Sequence, residues 1–364
     1  VTSRRPAKAL FATSNGFGLG HVTRCMAIAR RLPEDVEPIV FTLSEALPIV
    51  RGQGFFAEYF SSRDASGESS AQWNMRLARR VDHLLAEYEP AVVVFDGTYP
   101  YAGMLEALRG AGVKRVWCRR GMWRAGEGRA NLMFEPEFDA ILQPGELAAE
   151  EDAGVTSGDR RGVVRVPPIL FSDDSELLPR EQAAQRVGVD PGRVNVLMQP
   201  GWENQSFGPG ARLCLERLAR DARVRVVVAV SPLRSRAVPL PEEVATVSTY
   251  PLASVYRAFD FSISGAGYNI YHELIGYALP CLLIPNAGTP LDDQVGRARF
   301  AERAGAGRSW ESGREADLDR HLAALLDDGS RDRMAARARE LRFENGARAA
   351  ADVVAGLADS ARRR

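Results

Sequence analysis

Short apolar runs alternate with amphipathic segments through the first half of the chain. Ala9–Thr13 reads as a strand, a glycine-rich turn follows it, and a helix runs from about His21 to Leu32. Pro38–Thr42 is a second strand. Over Ala71–Glu87, Met75, Leu77, Ala78, Val81, Leu84 and Leu85 recur at helical spacing and share one face. Ala91–Phe95 is apolar throughout, Tyr101–Arg109 is helical, and Val113–Cys118 and Phe138–Leu142 are further strands. Continuous apolar strands separated by helices predict a parallel sheet covered on both faces.

A weakly patterned stretch follows. Glu146–Gly162 is charged, Val166–Phe171 carries Pro167 and Pro168, and Ser172–Glu176 is acidic. The interdomain link is placed at residues 169–190. Alternation then resumes with strand Asn195–Gln199, a glycine turn, helix Ala211–Ala219 and strands Val224–Val230 and Val244–Thr249. Strand Phe259–Ser264 runs into Gly265-Ala266-Gly267, a helix follows to about Tyr277, and Cys281–Ile284 is another strand. From Asp317 the chain is helical and charged, broken once at Asp327-Asp328-Gly329. Two βαβ series predict an α/β protein of two doubly wound, Rossmann-like domains facing across a cleft, with ligands at the carboxyl ends of the strands. The expected domains are 1–168 and 191–340, with 341–364 a C-terminal helix and tail.

Composition narrows this picture only slightly. A chain of 364 residues suits two domains of ~150 residues each. Lys+Arg and Asp+Glu both number 47, so no global charge points to nucleic acid. Cys25, Cys118, Cys214 and Cys281 form no CxxC pair or zinc-spaced cluster; they read as buried free thiols in a reducing compartment. The polar start leads into no signal-peptide core, and no stretch approaches the ~20 apolar residues of a membrane span. The expected location is the cytoplasm.

Candidate chemistry sits at the glycine turns. The first, Asn15-Gly16-Phe17-Gly18-Leu19-Gly20-His21, lacks the dinucleotide spacing GxGxxG. It delivers His21 to the head of a helix, where imidazolium is disfavoured and a neutral ring can accept a proton. Asp96 ends a strand of the same predicted sheet and can orient that ring. Either residue alone reads better as a helix cap; together they point to a His–Asp dyad. The second turn, Ser264-Gly265-Ala266-Gly267-Tyr268-Asn269, offers main-chain N–H groups and a helix dipole to a diphosphate, or is a plain turn. Glu273 on the following helix can accept both hydroxyls of a ribose, or can be a solvated face residue. Its neighbour His272 lies near phosphate or is a structural histidine. The loop ending Asp292-Asp293-Gln294 can serve sugar hydroxyls or cap the next helix, the capping role being stronger for Asp292. A third turn, Gln199-Pro200-Gly201-Trp202, can approach the phosphates from the other side. No DxD ends a strand, so no metal and no cofactor are expected, and the helix N-terminus would carry the leaving diphosphate.

These motifs resemble GT-B glycosyltransferases. The run Tyr250 to Ala306 is similar to the carboxyl-terminal domain of the lipid II-forming N-acetylglucosaminyltransferases and their relatives. That resemblance implies diphosphate at Ser264–Asn269, ribose at Glu273, donor sugar at Asp293 and Gln294, and main-chain contacts from Tyr250 and Leu252 to the base. The Asp293-Gln294 pair, with His21 as base and Asp96 as its partner, also resembles plant and macrolide-type glycosyltransferases. The family's glycine-serine loop is replaced here by Gln199–Asn204. The segment Gly20-His21-Val22-Thr23-Arg24-Cys25 resembles equally the UDP-sugar hydrolase of pseudaminic acid synthesis, in which the histidine activates water. The implied activity is inverting transfer from a nucleotide-sugar, a UDP-sugar in the first instance, with nucleotide-sugar hydrolysis as the alternative. A non-catalytic scaffold is the third class, and the complete set His21, Asp96, Glu273 and Gln294 argues against it. Gly18, Gly20 and Trp123 are placed on the acceptor side; the basic, aromatic segment Trp117–Arg124 either holds an apolar or anionic acceptor or packs on the other domain. The expected partners are a nucleotide-sugar donor and a small-molecule, natural-product or lipid-linked acceptor; a homodimer stays open.

Overall fold

The computed structural model describes residues 5–14, 19–158, 160, 162–199, 208–233, 240, 244–311, 313 and 315–363. Its first domain begins β1 (Ala7–Thr13), α1 (Gly20–Ala29), β2 (Val36–Thr42), α2 (Leu47–Gly52), β3 (Phe56–Tyr59), α3 (Arg63–Ser66) and α4 (Ser70–Tyr88). It continues β4 (Val92–Asp96), α5 (Ala102–Gly110), β5 (Lys114–Cys118), β6 (Ala140–Pro144) and β7 (Val163–Val166). The second domain holds α6 (Arg180–Val187), β8 (Val194–Gln199), α7 (Pro209–Leu218), β9 (Val224–Ala229), β10 (Ala245–Val247), β11 (Phe261–Ser264) and α8 (Tyr268–Gly276). After it come β12 (Cys281–Leu283), α9 (Gln294–Arg303), β13 (Arg308–Ser309), α10 (Glu315–Leu326), α11 (Asp328–Glu340) and α12 (Ala347–Arg362).

Among the described residues, every pairing between these named strands is parallel. The sheets run β3-β2-β1-β4-β5-β6-β7 and β10-β9-β8-β11-β12-β13. In each, strand order reverses beside the first strand, and the crevice at that switch point is where such sheets bind ligands. Thr13 lies level with Asp96 across the first switch point, and Gln199 with Ser264 across the second. The two-domain expectation is met, and both glycine turns follow strands at these switch points.

Three details differ from the sequence reading. Residues 169–190 are not all linker: α6 lies within them, and Ala183 and Ala184 join the second domain's core. The edge strands β3 and β7 carry too many exposed residues to read as apolar runs. Helix α4 forms as expected, opened by a Ser69–Gln72 capping box, but Met75 is half exposed rather than on its buried face.

The chain crosses back at its end. Ala347, Ala350, Ala351, Val354 and Ala358 of α12 pack among Ala9, Phe11, Cys25 and Val94 of the first domain. Side chains this small let the helix lie close to the sheet. The crossing is pinned where Gly346 N–H donates to the Pro168 carbonyl at 2.9 Å and Leu170 N–H donates to Asn345 at 3.0 Å. A Cβ on Gly346 would stand 2.0 Å from the Pro167 carbonyl oxygen. Gly346→Ala is therefore expected to destabilise the protein by about 1–3 kcal/mol through overpacking. A denaturation midpoint unchanged from wild type would contradict this packing.

Candidate active site at the interdomain cleft

His21 is the second residue of α1, and its Nδ1 lies 2.6 Å from Asp96 Oδ1. A carboxylate only accepts, so the proton of this bond sits on Nδ1 and Nε2 keeps its lone pair. Neither residue is a cap. The N-cap of α1 is Leu19 and that of α5 is Tyr101, neither making a side-chain cap hydrogen bond. Asp96 has no solvent exposure, and burial alone would raise its pKa. Arg24 reverses this, one helical turn past His21 and on the same face. Its Nε reaches Oδ2 at 2.7 Å and its Nη2 reaches Oδ1 at 2.5 Å, a two-pronged pair. With His21 it holds the Asp96 carboxyl down to about 2. Burial pushes the His21 pKa below its ordinary value; Asp96 resists, while Arg24 and Arg120 add to the lowering. The ring is thus neutral at pH 7 and able to take a proton.

The second glycine turn faces this group, but less openly than expected. Gly265 N–H already donates to the Gln199 carbonyl at 3.3 Å. Ser264 is buried, its Oγ 2.6 Å from Ser262 Oγ and 3.4 Å from Gln199 Nε2. Ala266 is buried and its carbonyl accepts from Arg297 at 3.4 Å. Gly267 is the N-cap of α8, whose first-turn amides have no intrahelical acceptor and form the anion-binding end. The Tyr268 side chain points inward, its hydroxyl donating to the Gly145 carbonyl at 3.0 Å and accepting from Ile169 N–H at 3.2 Å. Asn269 joins the two turns: its Nδ2 donates to the Gly20 carbonyl at 3.3 Å, and its Oδ1 accepts from Arg24 at 3.4 Å. Glu273 accepts from Tyr256 at 3.2 Å. Burial pushes its carboxyl up to about 7 despite that bond.

Other expected residues have different tasks. Tyr250 shares a hydrogen bond of 2.9 Å with Thr23 and packs on Phe171, so its side chain ties the domains together. Leu252 opens a 3-10 turn, Leu252–Ala258, and packs on the second core. Asp293 caps α9 by accepting from Gly296 N–H at 2.9 Å, and Gln294 is buried, accepting from Asn286 N–H at 3.1 Å. The capping role expected of Asp292 belongs to Asp293. Asp292 instead faces the cleft, 2.7 Å from Arg297 and 3.2 Å from Arg120. His272 is fully buried and structural: its Nδ1 lies 2.7 Å from the Tyr268 carbonyl, and its Nε2 accepts from Leu147 N–H at 3.2 Å. Gly16, Gly18 and Gly201 lie outside the described residues.

The Trp117–Arg124 segment crosses to the second domain. Trp123 pairs with Asp292 as an antiparallel bridge, Arg124 N–H donates to Leu291 at 2.7 Å, and Asp293 N–H donates to Met122 at 3.0 Å. Trp123 is buried, and it also lines a small cavity in the cleft. The first-domain wall is His21, Arg24, Gly97, Thr98 and Cys118 to Arg120; Leu291 and Asp292 close it from the second domain. Among the described residues, no three His, Cys, Asp or Glu side chains group as metal ligands, and no helix is long and apolar enough to cross a membrane.

Sequence reasoning gave no role of their own to Arg24, Arg297 and Glu146, named Arg120 only within the basic segment Trp117–Arg124, and read Asp292 as a sugar-binding or capping residue. Arg24 had a signal, its three-residue spacing from His21. The ion pair from Arg297 to Glu146, 2.9 Å, joins distant segments and leaves no local trace.

This architecture, two parallel sheets each wrapped by helices, is the GT-B fold. Over 96% of this chain and 99% of the other, it superposes on MurG of Acinetobacter baumannii with a TM-score of 0.63 and 14% identity. The kitacinnamycin glycotransferase matches 97% of this chain and 100% of its own, with TM-score 0.66 and 14% identity. A UDP-N-acetylglucosamine 2-epimerase assigned in Listeria monocytogenes shares the fold too, with TM-score 0.66 and 12% identity over 98% of this chain and 96% of its own. In sequence, the chain is similar to two UDP-N-acetylglucosamine–N-acetylmuramyl-(pentapeptide) pyrophosphoryl-undecaprenol N-acetylglucosamine transferases. The Salinibacter ruber protein is 37% identical over 113 residues, 30% of each chain; the Aquifex aeolicus protein is 26% identical over 173 residues, 45% of this chain and 48% of its own. The matches thus span between about a third and a half of these relatives. No family model matches the chain.

Two pH measurements check the site. In an NMR titration His21 is expected to protonate below its ordinary 6.5, and lower still in Asp96→Asn, which removes the partner that favours imidazolium. A rise on that substitution would contradict the assigned pairing. For Glu273 the folded value of about 7 exceeds the ordinary 4.5, so the folded state binds the extra proton and wild-type stability falls as pH rises between them. Glu273→Gln is expected to gain stability relative to wild type at pH 8 and to show no such gain at pH 4 in urea melts.

Proposed function

We propose that the protein is an inverting glycosyltransferase that moves a sugar from a nucleotide-diphosphate donor, a UDP-sugar in the first instance, to an acceptor hydroxyl or amine. The observation that carries this reading is the 2.6 Å bond from His21 Nδ1 to the ionised Asp96, which leaves Nε2 as acceptor on a ring that lines the cleft cavity. Nε2 takes the proton of the acceptor group. The freed lone pair attacks the anomeric carbon on the face opposite the nucleotide. The bond from that carbon to the diphosphate breaks, and the diphosphate departs with its electron pair toward the head of α8. Asp96 balances the imidazolium, and Arg24 keeps Asp96 ionised. Glu273 is assigned to the ribose and the Asp293–Gln294 loop to the donor sugar. No metal has a role in this scheme. The acceptor is a small molecule, natural product or glycolipid, and the reaction belongs to the cytoplasm.

One observation favours nucleotide-sugar hydrolysis as the second reading. The bridge between Trp123 and Asp292 closes one side of the cavity, which suits a nucleophile as small as water. Donor turnover without acceptor at a rate rivalling that with acceptor would decide for hydrolysis.

His21→Ala is expected to lower turnover by about 10²–10⁴-fold, the worth of a general base, while leaving nucleotide binding intact. Turnover retained in that variant would remove the base assignment. In a thermal-shift panel of UDP, TDP and GDP, the cognate nucleotide at ~100 times its dissociation constant is expected to stabilise by ~2.7 kcal/mol; no shift with any of them would sink the donor assignment.

A further inference from the structure

The walls of the cavity are unbalanced in charge. Arg24, Arg119 and Arg120 line it, against the single carboxylate of Asp292. Arg24 is committed to Asp96. Arg120 has a weak claim on Asp292, whose carboxylate lies 3.2 Å from Arg120 but 2.7 Å from Arg297.

Arg119 is the less expected of the two. Its side chain has no solvent exposure. Nη2 donates to Gln143 at 3.2 Å and pairs with Glu135 at 3.2 Å, while Nε and Nη1 have no hydrogen-bond acceptor. Glu135 is itself shared with Arg160 at 2.8 Å. The guanidinium lies over the rings of Trp117 and Trp123, at 5.7 and 5.5 Å from their centroids. These rings fix its position and stabilise its charge, but they supply no lone pair to the two free donors. Burial pulls its pKa down to about 10 despite Glu135, so it remains a cation at neutral pH. Buried guanidinium donors without acceptors are costly. Placed at a strand end on the wall of a cavity, they are explained by an anion that completes them.

We propose that Arg119 and Arg120 form an oxyanion subsite, and that the molecule activated by His21 is an acid, carrying a carboxylate or phosphate group beside its nucleophile. This deepens the transferase reading and rests on it for the role of His21. The subsite is distinct from the head of α8 assigned to the donor diphosphate. It lies on the first-domain wall after β5, whereas the head of α8 belongs to the second domain. The acid group orients the acceptor while Nε2 removes its proton. Its negative charge also offsets Arg120, which otherwise disfavours the imidazolium that forms.

The test is a thermal-shift titration of the full chain with inorganic phosphate, in saturating UDP and at ionic strength matched with chloride; acetate replaces phosphate in a second series. Wild type is expected to show a phosphate- or acetate-dependent rise in Tm on top of the UDP shift. Arg120→Gln and Arg119→Met are each expected to weaken the apparent anion affinity by about tenfold or more while keeping the UDP shift. Should Arg119→Met fail to fold, Arg120→Gln carries the comparison alone. The proposal is overturned if saturating UDP abolishes the anion effect, since the anion then occupies the donor diphosphate site. It is equally overturned if neither anion shifts Tm, or if both variants respond as wild type does. A third arm compares UDP-glucuronate with UDP-glucose: a preference for the uronate that vanishes in Arg120→Gln would assign the acid to the donor sugar and overturn its assignment to the acceptor. Loss of the UDP shift in wild type would remove the donor reading, while an anion effect dependent on Arg119 and Arg120 would still establish the subsite.

Discussion

Asp96 is a charged group with no exposure, placed where two strands of the first sheet part. A carboxylate in such surroundings stays ionised only if cations and donors replace the water it has lost. Arg24 and His21 do this from one helix, and both depend on α1 starting where it does. Gly20, the first residue of that helix, accepts from Asn269 of the second domain. Breaking the Asp96 pairing would therefore disturb His21, the helix start and the seam between domains together.

The seam itself is mostly polar. Tyr250 with Thr23, Arg120 with Asp292, Asn269 with Gly20, and the bridge of Trp123 to Asp292 all cross it. Directional contacts of this kind set a register between domains without the large apolar interface that would lock them permanently. Arg120, Trp123 and Asp292 also line the cavity, so the relative placement of the domains helps set the shape of the site.

The fold was legible because its strands are buried on both faces. Ala91–Phe95 and Cys281–Ile284 read as apolar runs, and each glycine turn marks a strand-to-helix passage. What escaped notice were elements that do not look apolar, such as β3, β7 and the mostly exposed α6. The dyad was legible in part, since the strand-end position of Asp96 and the helix start at His21 are both local features. Its third member was visible only as a spacing of three residues. The roles of Asp292 and Asp293 were exchanged because both orders satisfy the sequence; which carboxylate caps α9 depends on the turn before it, and that turn is held by a strand bridge from the other domain. Ser264 and Gln294 have the right chemistry, yet their side chains bond to their own loops and strands, a detail settled by packing.

The alanine-rich face of α12 covers the first sheet, yet it is encoded at the far end of the chain, after the whole second domain. During synthesis the first sheet emerges long before the helix that completes its core. Domains normally fold as units in order of emergence, and this one cannot finish that way: until α12 arrives, the surface around Phe11, Cys25 and Val94 is left open to water or to helper proteins. The order of translation and the order of completion are thus reversed for the domain that carries His21. The half of the molecule that holds the His21–Asp96 pair is the last to mature, and a nascent chain stalled upstream of α12 holds a second domain beside an unfinished first sheet.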